Sequence, residues 1–236
     1  MCRISAADGV THVVATPHYN YTYTFDLDVN RLLLAELQVK VGDQPKLLLG
    51  CDFHLSYDNI QICVENSKAF TINGTDYLLV ELPDQFIPDH LSRVYYDIQV
   101  AGLKPIITHP ERNPLLQRHP ELLQDWVSHG CLVQVTAQSY MGGFGSKARK
   151  FTEKLLDTGP IHFFASDAHD VKRRPPLLSR CYRKVAKAKD KEIADLLFQT
   201  NPEAVINGHP LPPQPEWGEM QDDGRKRRWF SFRRGG

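Results

Sequence analysis

The sequence predicts an α/β fold built on a parallel sheet, closed as a barrel or wound on both sides. Two observations predict it. Short apolar runs recur along the chain, each closed by a polar or ionisable residue, and such runs are what strands buried on both faces look like. Between them lie stretches with apolar residues at helical spacing, most of them ending at a glycine. Strand, helix, glycine and strand then repeat about six times.

The elements follow in chain order. Met1–Ala7 reads as the last turns of an amphipathic helix that stops at Asp8-Gly9, because glycine tolerates the left-handed conformation a helix end needs. That helix has no N-cap and is too short to stand alone. Strands are expected at His12–Ala15, Lys46–Leu49, Tyr77–Val80, Pro105–Ile107, Leu132–Val135 and His162–Ala165. Helices are expected at Asp28–Val41, at Pro88–Ala101 with Gly102 as its stop, at Pro120–Ser128 before Gly130, and at Ser146–Asp157 before Gly159. From His209 the chain turns Pro-rich, then acidic, then basic, without periodicity. This divides it into a folded domain, residues 1–208, and a disordered tail, residues 209–236. The terminal "RKRRWFSFRR" interleaves basic and aromatic residues, which suits an acidic lipid surface or a partner, although a solvated tail is the plainer reading.

Composition narrows the function. The 236 residues are 42% hydrophobic and 24% charged with a formal net charge of +0, so neither nucleic acid nor an anionic membrane is expected as a bulk partner. Five scattered cysteines without a Cys-x-x-Cys pair argue against a disulfide framework and for a reducing compartment. No apolar run approaches the roughly 18–20 residues that span a bilayer, and the first residues lack a signal-peptide core. The expectation is a cytoplasmic protein without a transmembrane segment.

The chemistry sits where the apolar runs end. His18, Asp52, Glu81, His109 and Asp167 close five of them, and His169 follows two residues after Asp167. In a barrel these C-terminal strand ends converge on one face, where such folds carry their active sites. A lone His or Asp after a strand is usually a turn residue or a cap. Five strands ending this way are another matter, because caps would draw on Ser, Thr and Asn as well. Imidazoles and carboxylates together suit Mn²⁺, Fe²⁺ or Zn²⁺, and bridging carboxylates allow more than one ion, the usual arrangement for phosphoester hydrolysis. Asp167 and His169 share one side of an extended chain. In "THPERN", Glu111 reads as a cap for the following helix. Arg112 can project into the same mouth as His109, and Arg173 and Arg174 precede a rigid Pro-Pro loop. Guanidinium groups match phosphate oxygens, so the substrate class is phosphorylated. No cysteine sits in a Cys-x₅-Arg phosphate loop, which disfavours a phosphocysteine mechanism.

The motifs "VTHVVATPHY", "LLLGCDFHLS", "YLLVELPD", "PIITHPERN", "GCLVQVTAQSYMGGFG" and "FFASDAHDVKRRPP" occur in that order. Together they resemble the bacterial metal-dependent tyrosine phosphatases of the polymerase and histidinol phosphatase (PHP) superfamily, which accompany tyrosine kinases of capsule and exopolysaccharide synthesis. The resemblance runs from residue 1 to about 211. It implies a distorted (β/α)7 barrel of the TIM-like type, up to three divalent metals (commonly manganese), and phosphotyrosine hydrolysis by a metal-activated hydroxide. It also implies a substrate in the tail of such a kinase. By position, His18, Glu81, His109, Asp167 and His169 match family metal ligands, and Asp52 stands where many members have Glu. Arg112 and Arg174 match the arginines that hold the phosphate. Family members begin with a further βα unit of roughly 30 residues, carrying His-x-His and Asp-Asp-Gly. By that comparison the first unit is missing here: Met1 reads as an internal methionine taken as the start, or else, with the 236 residues as the true product, at least one metal site is incomplete and the barrel has an open seam. Ring assemblies occur in the family, so a homo-oligomer is among the expectations. The alternatives to a protein phosphatase are a small-metabolite phosphatase of histidinol-phosphate type and a phosphotyrosine-binding remnant without turnover.

Overall fold

A computed structural model describes residues 1–55, 60–83, 87–88, 90–158 and 160–215. Its strands are β1 (His12–Ala15), β2 (His18–Tyr19), β3 (Lys46–Leu49), β4 (Asp52–His54), β5 (Tyr77–Glu81), β6 (Lys104–Thr108), β7 (Leu132–Thr136) and β8 (Phe163–Ala165). All pairings are parallel: β1 with β3, and a six-stranded sheet in the order β2-β4-β5-β6-β7-β8. The two sheets are one ladder with a break. The offset between partners is the same in β1/β3 (His12 opposite Lys46) and β2/β4 (His18 opposite Asp52). Gly50 N–H donates to the Ala15 carbonyl at 2.8 Å and Asp52 N–H to that of Pro17 at 3.1 Å, carrying the pairing across. Pro17, lacking an N–H, interrupts the regular pattern. Strand order therefore follows chain order without reversal, as in a barrel-type sheet and not a doubly wound one, which needs a reversal point.

Gly50 sits in the tightest part of that break. A Cβ there would lie 3.1 Å from Val14 Cγ1 and 3.3 Å from Thr16 Cγ2. Gly50→Ala is expected to lower stability by about 1–2 kcal/mol through overpacking, read as a fall of several degrees in Tm.

Side-chain alternation sorts the sheet into two faces. Leu78, Val80, Ile107, Val133, Val135 and Phe164 join the large core cluster. Packed there are the helices Leu91–Val100, Pro120–Ser128, Gly145–Thr158 and Ser179–Ala188 through residues such as Tyr95, Trp126, Leu155 and Val185. Tyr77, Leu79, Ile106 and Phe163 point the other way, into a smaller cluster with Ile72 and Val205. The sheet is thus covered on both sides, as parallel sheets require. The face opposite the helices is the one that leads to the functional residues.

Several expectations are corrected in detail. The strand His12–Ala15 is not buried on both faces: His12 is exposed and the rest half-buried, because among the described residues its only strand neighbour is β3. The helix expected at Asp28–Val41 forms as Leu27–Val41, capped by Asp26, whose carboxylate accepts from Asp28 N and Val29 N. None of its residues is buried, and Leu32 and Val39 are 68% and 84% exposed. The helix expected from Pro88 begins at Leu91. Gly159, expected as a helix stop, lies outside the described residues. Within the expected tail, residues 209–215 are docked: Tyr77 Oη donates to the His209 carbonyl at 2.7 Å, Asn201 and Gln214 exchange amide hydrogen bonds at 3.0 Å, and Leu211 packs on the smaller cluster. Fixed proline φ angles reduce the entropy lost in such docking. Residues 216–236, including "RKRRWFSFRR", lie outside the described residues.

Candidate functional site

The ladder register explains why distant residues meet. His18 is opposite Asp52, Asp52 opposite Leu79, and His54 opposite Glu81, all in adjacent parallel strands. Alternation then gives His18, Asp52, His54 and Glu81 one common face. Glu81 is the hub. Its Oε2 lies 3.4 Å from His18 Nδ1 and 3.5 Å from His54 Nδ1, while Oε1 lies 3.3 Å from His109 Nε2. His18 Nδ1 is also 3.3 Å from Asp52 Oδ2. Ligand atoms of His18, Asp52 and Glu81 all fall within 4.8 Å of one another.

Beside this group stands a second one. Asp167 Oδ2 accepts from Arg112 Nη1 at 2.7 Å and from Arg174 Nη2, so two guanidinium groups converge on a single oxygen. His169 Nδ1 lies 3.8 Å from Asp167 Oδ1, and its ring centroid is 6.1 Å from that of His18, which joins the two groups into one mouth. His109 (φ 35°) and Asp167 (φ 47°) hold left-handed backbone conformations just beyond β6 and β8. Such strain in non-glycine residues concentrates at functional sites.

The electrostatics follow from burial and crowding. Burial, reinforced by the Glu81 charge, pushes the Asp52 carboxyl up to about 6. Burial also acts to raise Glu81, but the imidazoles of His109, His18 and His54 outweigh it and hold the group well below the usual carboxylate range. Contact with the Glu81 carboxylate raises His18 against the opposing effect of burial. His18 Nδ1 is buried with only its ion-pair contacts to Asp52 and Glu81, and Asp52 Oδ1 is buried without a hydrogen-bond partner. A buried carboxylate oxygen in that state is costly, and Asp52 shares with His18 and Glu81 a group of ligand atoms close enough for one ion. That donor set fits a divalent cation.

All eight sequence-predicted residues lie in these two groups. His18, Asp52 and His109 gather about Glu81, and His169, Arg112 and Arg174 about Asp167. Arg173 does not join them: it is exposed, and its carbonyl accepts from Gln138. Glu111 does not cap the following helix. Asn113 does so, accepting from Leu115 N and Leu116 N, while the fully buried Glu111 carboxylate accepts from Thr136 N and Ser139 Oγ, bracing the end of β7. Sequence reasoning missed His54, which the two-residue spacing from Asp52 could have flagged, and Phe144, over whose ring Arg112 and Arg174 lie. Cys131 and Cys181 are buried, and desolvation pushes both thiols up to about 12, far from a nucleophilic thiolate.

Comparison with known proteins shows the family. Residues 1–207 match the family model described as capsular polysaccharide synthesis, CpsB/CapC. The CapC protein of Staphylococcus aureus is 32% identical, the match covering 98% of this chain and 90% of that one. The tyrosine-protein phosphatase YwqE of Bacillus subtilis is 30% identical over 91% of this chain and 87% of its own. A solved chain from the crystal structures of YwqE and of CpsB from Streptococcus pneumoniae, described as metal-dependent tyrosine phosphatases, superposes with a TM-score of 0.83 at 28% identity, covering 92% of this chain and 89% of that one. No helix among the described residues is long and apolar enough to cross a membrane. The chain belongs to the CpsB/CapC family of capsular polysaccharide synthesis.

Proposed function

We propose that this chain is a metal-dependent protein-tyrosine phosphatase that hydrolyses phosphotyrosine, its substrate being the tail of a cytoplasmic-facing tyrosine kinase of capsule or exopolysaccharide synthesis. The observation that carries the reading is the convergence of three imidazoles and the Asp52 carboxylate around Glu81, beside two arginines that meet at one oxygen. His18, Asp52, Glu81 and His109, with His54, Asp167 and His169 beside them, are the residues that would hold divalent ions. A set of oxygen and nitrogen donors without thiolate suits Mn²⁺, Fe²⁺ or Zn²⁺, and manganese is the first choice because the family resemblance implies it. An ion bound there offsets the negative charge of the phosphate and makes water a stronger acid.

The protein's own part is positioning. Glu81 holds three imidazoles in fixed orientation, as a carboxylate that contacts several histidines does in metal sites. Asp52, whose buried carboxyl sits near 6, exchanges a proton for a cation at little cost around neutral pH. Arg112 and Arg174 each engage Asp167 Oδ2 through one nitrogen, and the further N–H donors of each guanidinium would stabilise a phosphate oxygen beside Asp167 as charge develops during in-line displacement.

Two measurements test the reading. A phosphotyrosyl peptide and histidinol phosphate are assayed side by side with Mn²⁺ and with chelator. Turnover of the peptide, lost with chelator, is the expected result. Preference for histidinol phosphate would move the assignment to small metabolites, and tight peptide binding without phosphate release would make the chain a binding protein. Independently, Mn²⁺ at a hundredfold over its Kd is expected to stabilise the fold by about 2.7 kcal/mol, a rise in Tm of roughly 5–10 °C by scanning fluorimetry. An unchanged Tm with Mn²⁺, Fe²⁺ and Zn²⁺ would remove the metal from the proposal.

A further inference from the structure

Phe144 belongs to none of the ligand groups, yet it touches both arginines. The Arg112 guanidinium carbon lies over its ring, 4.8 Å from the centroid, and that of Arg174 lies 5.4 Å away. The two arginines come from different loops, one after β6 and one after β8, and each is 30 or so residues from Phe144 in sequence. Their convergence on Asp167 Oδ2 sets two like charges close together. One carboxylate cannot orient both planes, since each arginine reaches it through a single nitrogen. Arg174 Nε is buried with no hydrogen-bond partner, so the aromatic ring is the other contact that fixes its plane. The negative face of an aromatic ring attracts guanidinium groups and favours stacking upon it.

The loop that delivers Phe144 is built for that placement. Gly142 (φ 92°) and Gly145 (φ 88°) flank it in left-handed conformations. A Cβ at Gly143 would fall 2.5 Å from Gln138 Cγ. Gln138 itself donates to the Arg173 carbonyl at 2.6 Å, so the side chain against which the glycine loop packs also holds the backbone next to Arg174. The half-buried Phe144 is therefore locked to the arginine loop from beneath.

We infer that Phe144 is a positioning residue for the phosphate-binding arginines: its ring and Asp167 together hold the Arg112 and Arg174 guanidinium planes, so that the donors not spent on Asp167 are pre-set for a phosphate. The inference rests on the phosphatase reading for its substrate, but its central observable is binding of phosphate itself. Freed side chains must be re-ordered on each binding event, and immobilising two long side chains costs enough to weaken binding by tenfold or more.

The test compares Phe144→Ala, Phe144→Leu and Phe144→Tyr with the unaltered chain, using inorganic phosphate as the probe and Mn²⁺ throughout. The expected result is an inorganic-phosphate inhibition constant raised about tenfold in Phe144→Ala and nearly as much in Phe144→Leu, which keeps bulk but has no ring. Phe144→Tyr, with the ring retained, is expected to restore it to within twofold. Mn²⁺ affinity by calorimetry stays unchanged in all three, and the loss with phosphotyrosyl peptide appears mainly in KM. Phosphate inhibition and KM at the unaltered values in Phe144→Leu would overturn the inference, as would equal losses in the Leu and Tyr variants. Failure of the unaltered chain to hydrolyse the peptide would instead overturn the phosphatase reading, and phosphate binding by calorimetry would still decide the role of Phe144.

Discussion

Glu81→Gln abolishes turnover and strips the site of metal: this is the largest effect expected of any single substitution in the chain. Glutamine preserves the length and shape of the side chain, so the strand β5 and its neighbours are left in place. It removes the one charge that three imidazoles share, at 3.4 Å from His18, 3.5 Å from His54 and 3.3 Å from His109. The amide also points an N–H₂ at a nitrogen that must itself be a donor or a ligand, so at least one imidazole turns away. A cation at the former hub then meets neutral nitrogens and the carboxylate of Asp52, whose burial still opposes ionisation although the Glu81 charge that reinforced it is gone. Loss of the charge stabilisation a divalent ion gives is worth several kcal/mol, and at about 1.4 kcal/mol per tenfold the rate falls on the order of a thousandfold. Plasma mass spectrometry of the purified variant is expected to find sub-stoichiometric metal. Full metal content together with unimpaired turnover would remove Glu81 from the centre of the site.

The legibility of that site in the sequence had a definite physical basis. In a parallel sheet every strand delivers its last residue to the same edge, so His18, Glu81, His109 and Asp167 could be listed simply by where apolar runs stop. The same reasoning found Asp52 but passed over His54. The apolar run Lys46–Leu49 reads as the whole strand, whereas pairing resumes at Asp52 after the Gly50-Cys51 break, and only the resumed strand gives His54 the face of Asp52. Glu111 misled for another reason. A carboxylate beside Pro and Asn resembles a helix cap, but its partners, Thr136 N and Ser139 Oγ, lie on a different strand and helix, and nothing local encodes them. Phe144 was invisible on the same ground, because its meaning depends on two arginines brought over it by two other loops. The helix Leu27–Val41 shows the converse. Its cap and propensity were readable, but periodicity alone could not say which face, if any, would be covered, and Val29, Leu32, Leu33, Leu37 and Val39 are exposed. Short helices such as Pro114–Arg118, Ala137–Tyr140 and Lys191–Asp195 carry too few turns for a period to register.

Arg174→Ala is the complementary experiment, expected to silence the chemistry while leaving the metal in place. Arg174 contacts Asp167 and lies over Phe144, but it touches none of His18, Asp52, Glu81 or His109 among the ion pairs of the site. Its removal leaves the Glu81 hub intact and takes away one of the two cations meeting at Asp167 Oδ2. Loss of one preorganised donor to a charge-developing oxygen typically costs a hundred- to a thousandfold in kcat, and that is the range expected here. Arg174→Lys restores only part of the rate, because an ammonium supplies the charge without the planar fork. Arg173→Ala stays within about twofold of the unaltered chain, since that side chain is exposed and the residue is engaged through its backbone, the carbonyl by Gln138 and the N–H by Asp170. Metal content separates the roles: His109→Ala, which breaks the contact to Glu81 Oε1, is expected to lose metal, and Arg174→Ala to retain it. Equal metal loss in both variants would mean that the two groups are one, with the arginines sustaining the metal site through Asp167 and not acting on the phosphate.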